Sequence, residues 1–201
     1  MPSPELIAFA HGPLPGSRLA RARRRTAGLK AASGLRLATA HLELWPCSAA
    51  ECRASLEGPG ALAAQLGMAV PETWPPAELE ATLAYHGSVL SGGEGRRGWG
   101  IWLLSLRDER CLVGSVGFKG RPDRSRCVEV GYGIEPGFRR RGFATEALVC
   151  LVEWAWTQGV ARIVAECHED NRASAGVLER TGLHPYERRG KMLWWELRRP
   201  S

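Results

Sequence analysis

The chain has 201 residues, 44% of them hydrophobic, and a formal net charge of +6 at pH 7. This length is ordinary for one domain with a sizeable buried core. No apolar run approaches the roughly 18 residues that a membrane span requires, so no membrane association is expected. The basic balance favours anionic partners, and phosphates, nucleic acids and acidic protein surfaces all remain open.

Residues 1–35 differ in composition from the rest of the chain. They are rich in Pro, Gly, Ala and Arg without sustained periodicity, which predicts a flexible extension before a folded domain over residues 36–201. The apolar stretch LIAFA is short and follows Glu5, so a secretory signal is not expected. An arginine cluster in this extension leaves a nucleic-acid contact open. Its members are Arg18, Arg21, Arg23, Arg24 and Arg25.

From residue 36 onward, hydrophobic periodicity predicts a mixed α/β domain. The predicted strands are 37–47, 98–106, 111–120, 126–134, 161–168, 183–188 and 191–197, and the predicted helices are 48–58, 60–67, 77–87, 144–159 and 170–182. Ser48 and Glu51 are spaced as a capping box, and Asp170 or Asn171 is placed to cap the last helix. Gly87 is predicted to end the third helix.

The six cysteines form no C-x-x-C pair, and no histidine stands at zinc-ligand spacing from them. We therefore expect free thiols in a reducing cytoplasm and no metal cofactor.

One segment, GFRRRGFATEA at residues 137–147, places three consecutive arginines between a strand and a helix. The first turn of a helix carries backbone N–H groups without intrahelical partners, and the helix dipole adds positive potential there. Gly142 and Ala144 keep side-chain bulk away from those groups, which suits an approaching phosphate. No Gly-Lys-Ser/Thr follows, which excludes a P-loop. A helix start with solvated arginines fits the segment equally well.

The segment VEVGYGIEPGFRRRGFATEAL resembles the pyrophosphate-binding motif of the GNAT superfamily of N-acetyltransferases, Q/R-x-x-G-x-G/A. Arg139, Gly142 and Ala144 occupy its three defined positions. The later segment NRASAGVLERTGL is similar to the superfamily's next helix motif, in which Asn171 and Ser174 face the pantetheine arm. The two motifs come in the expected order and spacing, and the resemblance covers roughly residues 38–198.

The resemblance implies a GNAT-like α/β (α+β) fold, with a mixed, mostly antiparallel central sheet that is splayed between its fourth and fifth strands and flanked by helices. It also implies that acetyl-CoA is the co-substrate. The fourth strand would pair with the pantetheine arm in the gap, and the backbone after it would hold the pyrophosphate. The residues implied in acetyl-CoA binding are Tyr132, Gly133, Ile134, Arg139, Arg140, Arg141, Gly142, Phe143, Ala144, Asn171 and Ser174.

The resemblance extends to the branch that contains acetyltransferases of ribosomal-protein N-termini, which shares N-x-x-S followed by V-L-E-x-x-G. Many other GNAT proteins place a tyrosine acid where Leu178 stands in this chain. We predict that the Ser174 hydroxyl replaces it by donating a hydrogen bond to the departing thiolate. Many relatives dimerise, so a homodimer remains open.

Strand alternation provides a candidate general base. Glu129 shares a strand face with two glycines, where a carboxylate beside a cleft can take a proton from an ammonium group. Glu166 and His168 on the next strand are the alternatives. Trp74, in a turn before a helix, is predicted to line the acceptor pocket, because that region shapes the acceptor site in the proteins that the chain resembles.

These observations predict a cytoplasmic N-acetyltransferase that moves an acetyl group directly from acetyl-CoA to a primary amine, either a protein N-terminus or a small molecule. No cysteine occupies a motif position suited to a covalent acetyl-enzyme. One alternative is a non-catalytic acyl-CoA-binding module that has lost the base. The other is a basic nucleic-acid-binding protein, but the interleaved aromatic residues or recognition helix of such proteins are missing, so nucleic acid is not expected as a partner.

Overall fold

The computed structural model describes residues 34–90 and 98–200. The strands are β1 (Leu37–Ala38), β2 (Leu42–Pro46), β3 (Ile101–Leu106), β4 (Cys111–Phe118), β5 (Cys127–Ile134), β6 (Arg162–His168), β7 (His184–Arg189) and β8 (Met192–Arg198). They form one sheet in the order β1-β2-β3-β4-β5-β6-β8-β7. All neighbouring pairs are antiparallel except β5 and β6, which run parallel.

Helices connect the strands and flank the sheet. Those of the described residues are α1 (Ala49–Glu57), α2 (Pro59–Leu66), α3 (Ala77–Leu90), α4 (Phe143–Thr157) and α5 (Arg172–Thr181), with a 3₁₀ turn at Pro136–Phe138. A mixed, mostly antiparallel sheet flanked by helices confirms the predicted fold class.

The helices cover both faces of the sheet because its central strands are apolar on both sides. α4 and α5 pack on one face in a core that includes Trp102, Val130 and Leu148. The three N-terminal helices pack on the other face in a core that includes Leu83 and Leu103. Trp102 and Leu103 are consecutive in β3 and enter different cores, as strand alternation requires.

The predicted caps of two helices are confirmed. At the start of α1, the Ser48 hydroxyl accepts from the Glu51 N–H at 3.2 Å, and the Glu51 carboxylate accepts from the Ser48 N–H at 2.6 Å. At the start of α5, the Asn171 side chain accepts from the Ser174 N–H at 2.9 Å. Both helices therefore begin where their sequences place a cap.

The predicted end of α3 at Gly87 is wrong, because α3 continues to Leu90. Gly87 lies against α1, where an added Cβ would come 3.1 Å from the Cβ of Cys52. This glycine therefore permits a close approach of two helices instead of ending one.

β5 and β6 pair over only three residues. Their register runs from Cys127 opposite Arg162 to Glu129 opposite Val164, and no further pair joins them in the part of the chain that the structure describes. β5 continues to Ile134 while paired with β4 on its other side. The sheet therefore opens between β5 and β6. These are the predicted fourth and fifth strands, because the first predicted strand divides into β1 and β2.

The predicted extension, residues 1–35, lies outside the described residues except for Gly34 and Leu35. Leu35 packs against the larger core. The division of the chain at residue 36 stays a prediction.

Candidate functional site

Two cavities flank β5 where the sheet opens. The α3-side cavity has a volume of about 420 Å³, and its walls are α3 and parts of β3, β4 and β5. The α4-side cavity has a volume of about 310 Å³, and its walls are the end of β5, the loop that follows, the start of α4 and α5. Tyr132 lines both cavities. A molecule lying beside β5 in the gap would therefore reach both.

The α4-side cavity is built around the start of α4. Gly142 is the N-cap, with φ at 87°, and the first intrahelical hydrogen bond runs from the Glu146 N–H to the Gly142 carbonyl at 3.0 Å. The amides of Phe143, Ala144 and Thr145 therefore have no carbonyl one turn earlier to pair with. A Cβ at Gly142 would have no neighbour within 4 Å. The helix start is open and carries positive potential, which suits an anion.

The three arginines before this helix make different contacts. Arg139 Nε donates to the Ile134 carbonyl at 2.9 Å, which ties the loop to the end of β5. Arg140, with φ at 58°, lines the cavity. Arg141 lies outside the cavity walls, with its guanidinium 4.8 Å from the ring centre of Phe143. The segment is therefore not a uniform row of phosphate-binding side chains.

Arg180 also lines the α4-side cavity, and the sequence analysis missed it. It reaches back over Gly176, where a Cβ would come 3.0 Å from its Nη1. Its Nε lies 3.4 Å from Thr145 Oγ1 in the first turn of α4. The spacing of Gly176 and Arg180 by one helical turn is a local signal, but periodicity does not reveal that α5 lies beside α4.

Most of the residues predicted to bind acetyl-CoA meet at this cavity. Those that line it are Tyr132, Gly133, Ile134, Arg139, Arg140, Gly142, Phe143, Ala144 and Ser174. Arg141 and Asn171 do not line it. Arg141 packs on an aromatic ring, and the Asn171 side chain is engaged as the N-cap of α5.

Tyr132 and Ser174 join the two sides of the gap. The Tyr132 hydroxyl on β5 donates to the Ser174 carbonyl in the first turn of α5, at 3.0 Å. Burial raises the pKa of this phenol, and the hydrogen bond to Ser174 partly offsets that effect. Ser174 itself is 8% exposed. Its position in the first turn after Asn171 agrees with the sequence analysis.

A cluster of two carboxylates and one amine, the Glu129–Lys119–Glu166 cluster, lies where β5 and β6 diverge. The Lys119 ammonium forms an ion pair with Glu129 Oε1 and lies 4.0 Å from Glu166 Oε1. Burial raises the pKa of Glu129, Lys119 opposes this increase, and the negative charge of Glu166 adds to it. The structure therefore brings two candidate bases together, one from each side of the gap.

His168, the third candidate base, is oriented toward the loop that follows β6. Its Nδ1 lies 3.4 Å from the Asp170 carboxylate, and 42% of its side chain is exposed. Of the three candidates, Glu129 and Glu166 are the two held in the cluster.

The α3-side cavity has a floor made partly of glycine. Gly100 precedes β3, Gly117 lies in β4 and Gly131 lies in β5, and all three line the cavity. Gly117 is required by close packing, since a Cβ there would lie 2.4 Å from the Gly100 carbonyl oxygen. The His86 ring from α3 covers Gly100, where a Cβ would lie 1.8 Å from its Cε1. Burial lowers the pKa of His86, which favours its neutral form.

Trp74, predicted to line the acceptor pocket, lies outside the walls of both cavities. Its side chain is 2% exposed in the core beneath the N-terminal helices. Its indole N–H donates to Ser55 Oγ at 3.1 Å. The proline-flanked turn therefore anchors this core.

In the described ranges, no group of three or more His, Cys, Asp or Glu side chains is placed to hold a metal ion. The helices of these ranges are also too short or too polar to cross a membrane. All six cysteines carry free thiols.

The chain is similar to known acetyltransferases. Residues 60–184 match the family described as the acetyltransferase (GNAT) domain. YjdG of Bacillus subtilis (strain 168), named an uncharacterized N-acetyltransferase, is 32% identical over 120 residues, which are 59% of this chain and 71% of YjdG. YoaA of the same organism carries the same description and is 35% identical over 83 residues, 41% of this chain and 47% of YoaA. The chain thus spans about half the length of YoaA.

Solved structures share the fold. A GNAT-family acetyltransferase from Bacillus anthracis has a TM-score of 0.57 at 15% identity, over 82% of this chain and 98% of its own. RimL, described as a ribosomal L7/L12 alpha-N-protein acetyltransferase in complex with coenzyme A, has a TM-score of 0.55 at 16% identity, over 79% of this chain and 94% of its own. At these identities the likeness concerns the fold alone.

Proposed function

The chain belongs to the GNAT acetyltransferase family, and we propose that it transfers the acetyl group of acetyl-CoA directly to a primary amine. Family membership makes it an acetyl-transferring enzyme. This favours an enzyme over the non-catalytic acyl-CoA-binding alternative. The proposal adds that acetyl-CoA is the co-substrate, that a primary amine is the acceptor, and that the acetyl group passes directly between them.

The observation that carries the proposal is the pair of cavities that meet at Tyr132. Direct transfer requires two substrates to reach one point from different sides. The opening between β5 and β6 provides that point, and the two cavities provide separate approaches. A single closed pocket would not allow a ternary complex of this kind.

The residues of the α4-side cavity fit the phosphates of acetyl-CoA. The first-turn amides of α4 and the open position at Gly142 suit a pyrophosphate. Arg140 and Arg180 add positive charge to the same walls. The unpaired edge of β5 beyond Glu129 is available to hydrogen-bond an extended chain such as pantetheine. Acetyl-CoA would supply the reactive thioester to this site.

Glu129 is proposed to accept the proton of the acceptor ammonium. Its carboxylate lies where β5 and β6 diverge, and burial raises its pKa above that of an ordinary glutamate, which makes it a stronger base. Glu166 supports this role, because its charge also raises the pKa of Glu129.

Ser174 is proposed to stabilise the leaving thiolate. The position of the tyrosine acid of many relatives is held by Leu178, whose side chain is 1% exposed in the core. Ser174 lines the α4-side cavity from the first turn of α5. A hydroxyl donor in a partly dry site stabilises a developing negative charge more than water does.

The acceptor is proposed to enter through the α3-side cavity, either as a protein N-terminus or as a small-molecule amine. RimL is described as acting on a ribosomal protein, which makes N-terminal peptides the first class to assay. Its walls include the apolar side chains of Leu79, Val89 and Trp99. An amine joined to an apolar group would suit these walls.

The test is an acceptor screen that follows the release of free CoA thiol from acetyl-CoA across N-terminal peptides, polyamines, amino acids and aminoglycosides. The expected result is acceptor-dependent thiol release, with the acetylated amine found by mass spectrometry. Thiol release without any acetylated amine, over the whole panel, would contradict transfer to an amine.

A further inference from the structure

Lys119 follows β4 and lies directly across from the candidate base. Its N–H donates to the Glu129 carbonyl at 3.0 Å, which continues the β4–β5 register from Phe118 opposite Val130. Opposite residues of an antiparallel pair project to the same face. The side chains of Lys119 and Glu129 therefore lie side by side on the face that carries the α3-side cavity.

The Lys119 side chain stands between the candidate base and the cavity. Lys119 lines the α3-side cavity, whereas Glu129 is not one of its lining residues. The Lys119 ammonium contacts Glu129 Oε1, an atom shielded from solvent. An amine that gives its proton to Glu129 must occupy this same place. Lys119 thus holds a primary amine where the reaction requires one.

The chain offers few other amines for comparison. It contains three lysines, Lys30, Lys119 and Lys191. Lys191 is exposed in the turn between β7 and β8, away from both cavities. Lys30 falls outside the described residues. Lys119 is therefore the one lysine that the described structure places at the gap.

We propose that Lys119 is a self-acetylation site, modified by the enzyme's own acetyl-CoA. This inference rests on the proposed function. The ammonium first gives a proton to Glu129. The freed Nζ then bonds to the acetyl carbon as the carbon–sulfur bond breaks, and the sulfur leaves as thiolate with the electron pair of that bond. The nitrogen then loses a second proton to solvent, and the thiolate, which accepts a hydrogen bond from the Ser174 hydroxyl, takes its proton from solvent.

Self-acetylation removes the positive charge from the Glu129–Lys119–Glu166 cluster. An acetylated Lys119 cannot form the ion pair that now holds Glu129. The two carboxylates would then lack that cation, and the α3-side cavity wall would lose the positive charge of Lys119. The modification would therefore change the charge that an incoming acceptor meets.

The experiment incubates the full chain with isotope-labelled acetyl-CoA and no acceptor, and maps the label by peptide mass spectrometry. Lys191 and Lys30 are the internal controls for plain chemical acetylation. The expected result is a rate at Lys119 about 10²-fold or more above that at Lys191, because a positioned base and an intramolecular approach both act there. The fraction labelled per unit time should not depend on protein concentration.

Two variants separate chemistry from structure. Lys119→Arg keeps a cation beside Glu129 but offers no acetylatable amine, so the label should disappear from this peptide while acetyl-CoA still raises the melting temperature. Glu129→Gln keeps the lysine and removes the base, so labelling of Lys119 should slow by about 10²- to 10⁴-fold. Labelling of Lys191 should be unchanged in both.

Equal labelling of Lys119 and Lys191, or a labelled fraction that rises with protein concentration, would overturn the inference. So would an unlabelled Lys119 in a protein that turns over an external amine, and that result would leave the proposed function standing. Failure of acetyl-CoA to bind at all would overturn both.

Discussion

Glu129 is the residue on which the proposed chemistry depends most. Its raised pKa means that the carboxylate is protonated at a higher pH than an ordinary glutamate. Since the base must be ionised to act, kcat/KM should fall as the pH drops through this raised value. Glu129→Gln should lower kcat by about 10²- to 10⁴-fold and abolish that acidic limb in a pH–rate profile.

The matched control for this experiment is Glu166→Gln. Glu166 raises the pKa of Glu129 through its negative charge, so its neutralisation should move the acidic limb to lower pH and leave it present. An unchanged limb in Glu129→Gln, with a lost limb in Glu166→Gln, would assign the base to Glu166.

Ser174 makes two separable contributions. Its backbone carbonyl accepts the Tyr132 hydrogen bond, whereas its hydroxyl is the proposed donor to the thiolate. Ser174→Ala removes only the hydroxyl and should lower kcat by the loss of about 2.7 to 4 kcal/mol of barrier stabilisation. Single-turnover kinetics with saturating acetyl-CoA would measure this.

Tyr132→Phe is the comparison for Ser174→Ala. It keeps the serine hydroxyl and removes one hydrogen bond to the Ser174 carbonyl, which still accepts the helical N–H four residues later, so it should lower the free energy of unfolding by about 0.5 to 1.5 kcal/mol. If Tyr132→Phe lowers kcat as much as Ser174→Ala does, catalysis depends on the hydrogen bond between Tyr132 and the Ser174 carbonyl. The Ser174 hydroxyl would then not be the donor to the thiolate.

Among single residues, the sequence predicted those whose role depends on neighbours close in the chain, such as a helix cap. The Asn171 cap follows from local spacing and is confirmed. The predicted roles of Trp74 and Arg141 depended on where distant elements pack. Trp74 faces Ser55, and Arg141 lies on an aromatic ring. Arg180 was missed for the same reason, since its place beside Thr145 is set by the packing of α5 on α4.

At the scale of elements, the start of α4 is proposed to hold the pyrophosphate. Gly142→Asp places a negative charge at the N-cap, which would repel phosphate but is favourable for the helix dipole and cap. Acetyl-CoA affinity measured by calorimetry should fall while the helix forms. Gly142→Ala is the control, because it shares the strain of a φ at 87° without the charge. Equal affinities of the two variants would contradict an anion at this position.

A second comparison tests which arginines belong to the same site. Arg180 lines the α4-side cavity, whereas Arg141 lies outside it. Arg180→Ala should weaken acetyl-CoA binding by about 1.5 to 3 kcal/mol, the usual contribution of a hydrogen bond to a charged group. Arg141→Ala should weaken it less. The reverse order in calorimetry would show that the cofactor lies along the outer side of the loop.

Strand and helix positions were largely predictable, because alternation and caps are local. The division of the first predicted strand was not. Thr39 and His41 bond to the Glu146 carboxylate of α4, and these bonds hold a turn between β1 and β2. Although burial alone would raise the pKa of Glu146, these hydrogen bonds lower it. A contact between residues that far apart in the chain leaves no periodic signal.

At the scale of the whole molecule, the opening between β5 and β6 organises the candidate site. Periodicity predicts both strands but does not set how far they pair, so the gap followed only from the family resemblance. The register shows why it forms: the strands separate after Glu129, and the Tyr132 hydroxyl then reaches α5 across the gap. Cavities on both faces follow from this one divergence.

Thermal unfolding of the full chain with and without acetyl-CoA tests directly for a cofactor site. A ligand that binds only the folded state, at about 100 times its dissociation constant, adds roughly 2.7 kcal/mol and should raise Tm by roughly 5 to 10 °C. A chain beginning at residue 34 should show the same increase, because both cavities lie after that point. No increase with acetyl-CoA, accompanied by an increase with duplex DNA, would contradict an acetyl-CoA site and favour a nucleic-acid-binding protein.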